Sequence, residues 1–388
     1  MSNKSRKILF CSHESILFGA PRSLLQIIDN FDQHFDVKVI SYGDGPFVKV
    51  CRNKGIPVKV LFKRKFFKSN KVYGRLVNFI YNKIETLLNF LRFSLIAAKF
   101  QPDVVYINTV MRSMPVIVAK LLGIPTLVHV REGENFIKPV SRRSRRRMKL
   151  IASADKFICI SKANQQIFLK YGKVDEGKTI VVHNGIDTEY YKKSLIRRKS
   201  FRELYAISPD DMLIGFIGNV SIRKGTDVFV EAVKQLLVKR KCYEKFRFLI
   251  VGGSWEQIRK FKIKFNAQLE SKLILIPFIE DVRPVYDAMD IFCMTSRSEP
   301  FGRTNIEASS MEKVIVATKV DGCLEIFTNQ VNALMIDPNS PEQLLEALEI
   351  LLKDSVLRKK LSKSARENVI NNFSEHQTIK KIMNILDV

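Results

Sequence analysis

Two carboxylates, Glu299 and Glu307, stand eight positions apart in Glu299-Pro-Phe-Gly-Arg-Thr-Asn-Ile-Glu307. The apolar run Asp290-Ile-Phe-Cys-Met-Thr295 before them predicts a buried strand, and Thr304 to Met311 predicts the first turns of a helix. The loop Ser296-Arg-Ser-Glu-Pro-Phe-Gly302 then opens a helix at the carboxyl end of a strand. Ligands of open α/β sheets bind at such ends, and exposed backbone N–H groups there favour anions. Glu299 falls in the loop and Glu307 on the helix, so both are candidates for one crevice. The same residues would also complement a helix macrodipole, and the spacing alone leaves both readings open. Upstream, Gly215-Phe-Ile-Gly-Asn-Val-Ser-Ile-Arg-Lys-Gly225 sets Arg223 and Lys224 on a second strand-to-helix loop. That pair reads either as an anion clamp or as an ordinary basic turn.

The elements that must position these residues alternate regularly. Short apolar runs at Lys7–Ser12, Val37–Tyr42, Val58–Phe62, Val104–Asn108, Thr126–Arg131, Lys156–Ser161 and Ile180–His183 read as strands. The style restarts at Met212–Gly218, Phe246–Gly252, Leu273–Pro277, Asp290–Thr295 and Val314–Thr318, with helical patterns between most of them. Strand–helix alternation implies parallel sheets with right-handed crossovers. At 388 residues the chain exceeds one ordinary core. The expectation is therefore an α/β protein of two Rossmann-like, doubly wound parallel-sheet domains facing each other across a cleft. Residues 1–187 and 188–373 are the expected domains, with a helix over 374–388.

Four separated segments carry a resemblance: His183-Asn-Gly-Ile-Asp187, Gly215 to Gly225, Glu299 to Glu307, and Val314-Ile-Val-Ala-Thr-Lys-Val-Asp-Gly-Cys-Leu-Glu325. In order and spacing they resemble the C-terminal half of family 4 retaining glycosyltransferases, which have the GT-B fold. The N-terminal half agrees more loosely. Leu17-Phe-Gly-Ala-Pro-Arg-Ser23 is similar to the family's Gly-Gly-Ala loop, and Asp44-Gly-Pro-Phe47, Gly55-Ile-Pro-Val58 and Thr126-Leu-Val-His-Val-Arg-Glu132 also fit. The resemblance implies a transferase moving a sugar from a nucleotide-diphosphate sugar to a saccharide or lipid-linked acceptor. It implies Glu299 beside the donor sugar, Glu307 on the ribose hydroxyls, and Lys224, with Arg223, on the diphosphate. Phe301 and Gly302 would offer backbone N–H groups, and Gly218 and Asn219 would line the donor site. Gly19, and more weakly Arg22, would approach the diphosphate or acceptor from the N-terminal domain. His129, at a strand end, would touch the donor sugar as a catalytic residue, with Arg131 and Glu132 as alternative polar contacts. The 374–388 helix would cross back onto the N-terminal domain. The chain departs from the family at Asn219, where an arginine is usual, and at Glu312 and Val314. Asp321-Gly322 replaces a Gly-Gly pair, so that a side chain there would narrow the donor pocket.

No Asp-x-Asp pair is present and the five histidines are scattered, so no metal or other cofactor is expected. The six cysteines lie far apart with no Cys-x-x-Cys pair, which favours buried thiols over disulfides. No run reaches the roughly 18 apolar residues of a spanning helix, and Ile8-Leu-Phe-Cys11 is too short for a signal peptide. A cytoplasmic location is expected.

Charge supplies the partner. The net charge of +26 is uneven: 33 lysines and arginines oppose 14 acids in residues 1–190, +19, against 32 and 25 in the remainder, +7. Between Lys59 and Lys99 lie ten cations and a single acid, Glu85. Val72, Leu76, Ile80, Ile84, Leu87, Leu88, Leu91 and Leu95 fall there at helical spacing. Such a stripe reads first as the face turned toward the domain's own sheet, and alternatively as a membrane-surface element. Ser141-Arg-Arg-Ser-Arg-Arg-Arg-Met-Lys149 holds six cations in nine residues. Clustered in one half, the two segments favour an anionic membrane surface and peripheral attachment to the inner face of the plasma membrane. The charge also fits a nucleic-acid-binding protein, but no recognised binding motif accompanies it, so no nucleic-acid partner is expected. A transferase using a soluble sugar acceptor is the other enzyme reading, and a catalytically dead scaffold is disfavoured by the intact Glu299 and Glu307.

Overall fold

The computed structural model describes residues 6–17, 19–31, 34–62, 72–239, 245–262 and 267–386, without the side chains of 72–80, 262, 267 and 268. Phe18, Cys242, the basic residues of 63–71 and the first part of the apolar stripe, including Val72, Leu76 and Ile80, lie outside what is described. The chain divides into two compact units, 1–182 with 379–388, and 183–378.

In the first unit seven parallel strands lie in the order β3-β2-β1-β4-β5-β6-β7. They are β1 Lys7–Ser12, β2 Asp36–Tyr42, β3 Val58–Leu61, β4 Val104–Ile107, β5 Thr126–Val130, β6 Lys156–Cys159 and β7 Thr179–Val181. Period-2 alternation splits their side chains between two cores. Leu9, Ile40, Val105, Val128 and Phe157 enter one, while Ile8, Phe10, Val39, Tyr106 and Leu127 enter the other. Helix Gly19–Phe31 covers the second face through Leu24, Ile27, Ile28 and Phe31. The same core contains Ile379, Ile382 and Leu386 of the helix Glu375–Leu386.

The second unit holds six parallel strands in the order β10-β9-β8-β11-β12-β13. They are β8 Met212–Ile217, β9 Phe246–Val251, β10 Leu273–Ile276, β11 Ile291–Met294, β12 Val314–Thr318 and β13 Leu334–Ile336. In each sheet the chain starts centrally, runs to one edge, and returns to run to the other. The carboxyl ends of the two strands at that reversal, β8 and β11, are where a ligand crevice opens. Each of the twelve apolar runs forms a strand, its ends within two residues of those expected. The three-residue β13 was not anticipated.

The described part of the apolar stripe does not face the sheet. It lies on helix Val72–Phe100, whose buried face carries Glu85, Asn89, Phe93, Ala97 and Phe100. Ile84, Leu87, Leu88, Leu91 and Leu95 point outward, 46–72% exposed. Apolar residues occupy both sides of this helix, and only one side can pack. Asn89 settles which, since its amide accepts from Phe62 N at 2.9 Å and donates to Phe62 O at 3.0 Å, satisfying the chain as it leaves β3. Cys11, Cys51, Cys159, Cys293 and Cys323 are buried free thiols, and burial pushes Cys159 up to about 12. Among the described residues no helix is long and apolar enough to cross a membrane.

Candidate functional site

In the second unit the loops that follow β8 and β11 are joined by hydrogen bonds to each other's backbone carbonyls. Thr295 Oγ1 donates to Gly225 O at 2.7 Å, Arg297 N to Arg223 O at 2.8 Å, and Arg223 Nη1 to Ser298 O at 3.0 Å. Gly225 is required twice over. Its φ is +66°, and a Cβ there would lie 1.8 Å from Thr295 O. Ser221 caps the short turn Ile222–Lys224, accepting from Lys224 N at 3.4 Å. So held, Lys224 Nζ forms an ion pair with Glu299 Oε2, both side chains being largely buried. Ser296 Oγ also donates to Glu299 Oε2, at 3.5 Å.

Asp321 fixes the Glu299 loop from the next strand's end. Its Oδ2 accepts from Glu299 N and from Ser298 Oγ, each at 2.8 Å. Gly322 N donates back to Glu299 O at 3.1 Å, and a Cβ on Gly322 would lie 2.5 Å from Phe301 Cα. The carboxylate in the Asp321-Gly322 pair is thus spent on the loop.

Glu307 occupies a separate cluster. Its Oε1 accepts from Arg303 Nε at 2.9 Å and from Tyr191 OH at 3.1 Å, and its Oε2 accepts from Tyr286 OH at 3.1 Å. Burial, then Glu307, pushes the Tyr286 phenol well above its usual range. Tyr191, Tyr286 and Arg303 were not foreseen, because a tyrosine far away in sequence carries no local signal of its partner. Gly302, at φ +99°, begins the helix Arg303–Ser310. The Phe301 ring is buried, stacked on the His183 imidazole with centroids 5.6 Å apart and packed beside Phe373 at 5.7 Å. His183 Nε2 in turn meets Glu325 Oε2 at 2.8 Å. Gly218 and Asn219 follow β8. Gly218 N donates to Val251 O at 2.9 Å, and Gly218 lies so close to Gly252 that a Cβ on the latter would meet Gly218 O at 2.3 Å.

In the first unit His129, on β5, is buried. Its Nδ1 lies 2.5 Å from Tyr106 OH and 3.1 Å from Arg131 Nη2. A guanidinium only donates, so Nδ1 is the acceptor and the ring hydrogen belongs on Nε2. Burial first, and Arg131 second, hold this imidazole well below its usual pKa, hence neutral. Among the described residues Nε2 has no hydrogen-bond partner. Arg131 Nε also donates to Asn108 Oδ1 at 2.9 Å, and Asn108 Nδ2 to Ala20 O at 2.9 Å. That chain links His129 to the start of the helix Gly19–Phe31, where the space a Cβ on Gly19 would occupy is open. Arg22 is half-buried on the same helix. Glu132 Oε2 accepts from Arg131 N at 3.0 Å and Val110 N at 3.3 Å, and burial raises its carboxyl. Among the described residues no group of three or more His, Cys, Asp or Glu could hold a metal ion.

The chain matches two family profiles, Glycosyltransferase Family 4 over residues 18–190 and Glycosyl transferases group 1 over residues 197–368. It is 22% identical over 236 residues to an uncharacterized glycosyltransferase of Methanocaldococcus jannaschii, covering 60% of this chain and 59% of that one. It is 23% identical over 279 residues to the UDP-Gal:alpha-D-GlcNAc-diphosphoundecaprenol alpha-1,3-galactosyltransferase of Escherichia coli, covering 69% and 70%. The match thus spans about three fifths to seven tenths of these relatives' lengths. Among solved structures, Anabaena Alr3699/HepE in complex with UDP and glucose superposes with a TM-score of 0.82 at 21% identity, covering 98% of this chain and 99% of that one. With its two parallel-sheet α/β units and both profiles matched in order, the chain belongs to glycosyltransferase family 4 and has the GT-B fold.

Proposed function

We propose that the protein moves a sugar from a nucleotide-diphosphate donor to a saccharide or lipid-linked acceptor hydroxyl, with retention at the anomeric carbon and without a metal ion, in bacterial cell-surface polysaccharide or glycolipid synthesis. The observation that carries this reading is the Lys224–Glu299 pair, set at the reversal point of a parallel sheet on loops hydrogen-bonded to each other. The bond between the anomeric carbon and the phosphate oxygen breaks, and the diphosphate leaves with the electron pair. The acceptor oxygen then bonds to the same face of the carbon, and its proton passes to the departing phosphate. Lys224 supplies the charge that this departure needs, assisted by Arg223. An ammonium has three donors, so Lys224 can keep Glu299 while meeting a phosphate oxygen. Glu299 meets the donor sugar and Glu307 the ribose, as the family resemblance implies. One lone-pair direction of Glu307 Oε2 is left for a hydroxyl beside Tyr286. His129 offers a neutral Nε2–H to a sugar hydroxyl. The Escherichia coli relative, named for a UDP-sugar donor and a diphosphate-lipid acceptor, supports the substrate classes. Outward leucines on the 72–100 helix and the arginines of Arg142–Ile151 support peripheral binding to an anionic membrane.

The test is a thermal-shift panel of UDP- and GDP-linked sugars in EDTA, followed by transfer assays on Glu299→Ala. One donor should stabilise both proteins, while transfer by the variant falls on the order of 100-fold or more. Ordinary turnover by the variant overturns the role of Glu299. No stabilisation by any donor overturns the transferase reading.

A further inference from the structure

In the first sheet the chain reverses between β1 and β4, so the carboxyl edge there is where a ligand of this unit is expected. A half-open cavity of about 570 Å³ lies at that edge. It is lined by Tyr42, the last residue of β2, by residues 111–114 after β4, and by parts of the helices Val72–Phe100 and Arg142–Ile151. Its size is that of a small-ligand site, roughly 300–1,000 Å³. Hydrogen bonds tie its floor to the strand of His129, since Val110 N and Arg131 N donate to the same Glu132 Oε2, at 3.3 and 3.0 Å.

The lining is of two kinds. Arg112, Arg143, Arg146 and Arg147 supply the first. The Arg112 guanidinium lies 4.5 Å from the centroid of the Tyr42 ring, a stacking that fixes its plane. Among the described residues Arg112, Arg143 and Arg146 make no ion pair. Arg147 donates Nη2 to Phe136 O at 3.0 Å, while its buried Nε has no hydrogen-bond partner among the described residues. Such planar forks match the two oxygens of a carboxylate. Glu85, Thr86 and Ser113 supply the second kind, a carboxylate that only accepts and hydroxyls that do both. An accepting carboxylate suits neighbouring hydroxyls of a sugar ring, and its charge disfavours a bare dianion in the same space. Among the described lining residues the aliphatic ones are Met111, Met114 and Leu150, too few to hold a hydrocarbon chain. The pocket asks for one acid group and several hydroxyls on the same molecule.

We infer that this pocket holds an acidic sugar unit of the acceptor, a uronate whose carboxylate lies on Arg112, Arg143 and Arg146 and whose ring hydroxyls meet Glu85, Thr86 and Ser113. That the unit belongs to an acceptor rests on the transferase reading; that it is a sugar bearing a carboxylate rests on the lining alone.

Ligand-observed NMR titration of the full-length protein with methyl glucuronide, methyl glucoside, glucose 6-phosphate and inorganic phosphate separates the alternatives. Methyl glucuronide should bind about tenfold tighter than methyl glucoside, a charge-assisted fork being the difference. The variant Arg112→Gln/Arg146→Gln should bring the glucuronide down to the level of the glucoside. Arg143→Gln/Arg146→Gln changes two exposed residues only and should move affinity the same way. Melting temperatures of both variants verify their folding. Equal affinity of the parent protein for glucuronide and glucoside overturns the acid contact. Glucuronide affinity unchanged in both variants overturns the pocket. Inorganic phosphate bound through these arginines as tightly as the glucuronide makes this a general anion site and overturns the sugar. Glucose 6-phosphate bound more tightly than the glucuronide overturns the carboxylate in favour of a phosphate. If the parent protein shows no nucleotide-sugar stabilisation yet binds methyl glucuronide through these arginines, the transferase reading fails while the pocket stands. Stabilisation by a donor without any preference for the glucuronide removes the pocket and leaves that reading intact.

Discussion

His129 stands at a strand end, yet what fixes its tautomer is a hydrogen-bond arrangement that no local pattern encodes. Tyr106 and Arg131 both aim at Nδ1, which leaves the proton on Nε2. At pH 6 the imidazole nitrogen shifts of His129 should report a neutral ring protonated at Nε2; a charged ring would contradict the assignment. The stability consequence has a definite sign. The native pKa is depressed, so below about 6.5 the unfolded chain binds a proton that the native state refuses, and His129 lowers stability as pH falls. His129→Gln should flatten that part of the acid limb in unfolding titrations. The sequence pattern placed Glu299 in a loop and Glu307 on a helix, as found, but said nothing of their partners. The two carboxylates sit in distinct clusters, one ionic with Lys224 and one shared by Arg303 and two tyrosines.

The strand-to-helix loops act as elements only because each glycine permits a particular approach. At Gly225 the chain combines φ +66° with a backbone passing where a Cβ would be. Gly225→Ala should push the loop off Thr295 and separate Lys224 from Glu299. We expect a destabilisation of about 2 kcal/mol or more and loss of nucleotide-sugar stabilisation well below the shifted melting temperature; a variant that keeps donor binding would show the loop pairing to be dispensable. Strand positions were legible because buried parallel strands are continuous apolar runs. β13 escaped because three residues, Leu334-Met-Ile336, are too few to distinguish from a loop. Helix Val72–Phe100 misled for the opposite reason, offering two apolar faces, of which periodicity cannot say which packs.

At the scale of the molecule, fold class followed from alternation and length, whereas the use of the +26 charge depended on where folding leaves it. The first unit carries both the arginines of the 142–151 helix and an outward leucine stripe, each suited to an anionic bilayer. Replacing Arg142, Arg143, Arg145 and Arg146 by glutamine should weaken phosphatidylglycerol vesicle binding by about 1 kcal/mol per charge and flatten its salt dependence. Sedimentation with vesicles at 0.1 and 0.5 M salt measures both. Binding that is unaltered in the variant would assign the membrane contact to the leucines alone.

The helix Glu375–Leu386 gives the first unit its last three core residues, Ile379, Ile382 and Leu386. During translation, Ile8, Phe10 and Leu24 therefore emerge long before the residues that complete their packing, with all of 183–378 made in between. Until then the nascent amino-terminal unit carries an unfinished apolar face, a natural place for a chaperone to sit. A fragment ending at residue 182 would keep that face for good.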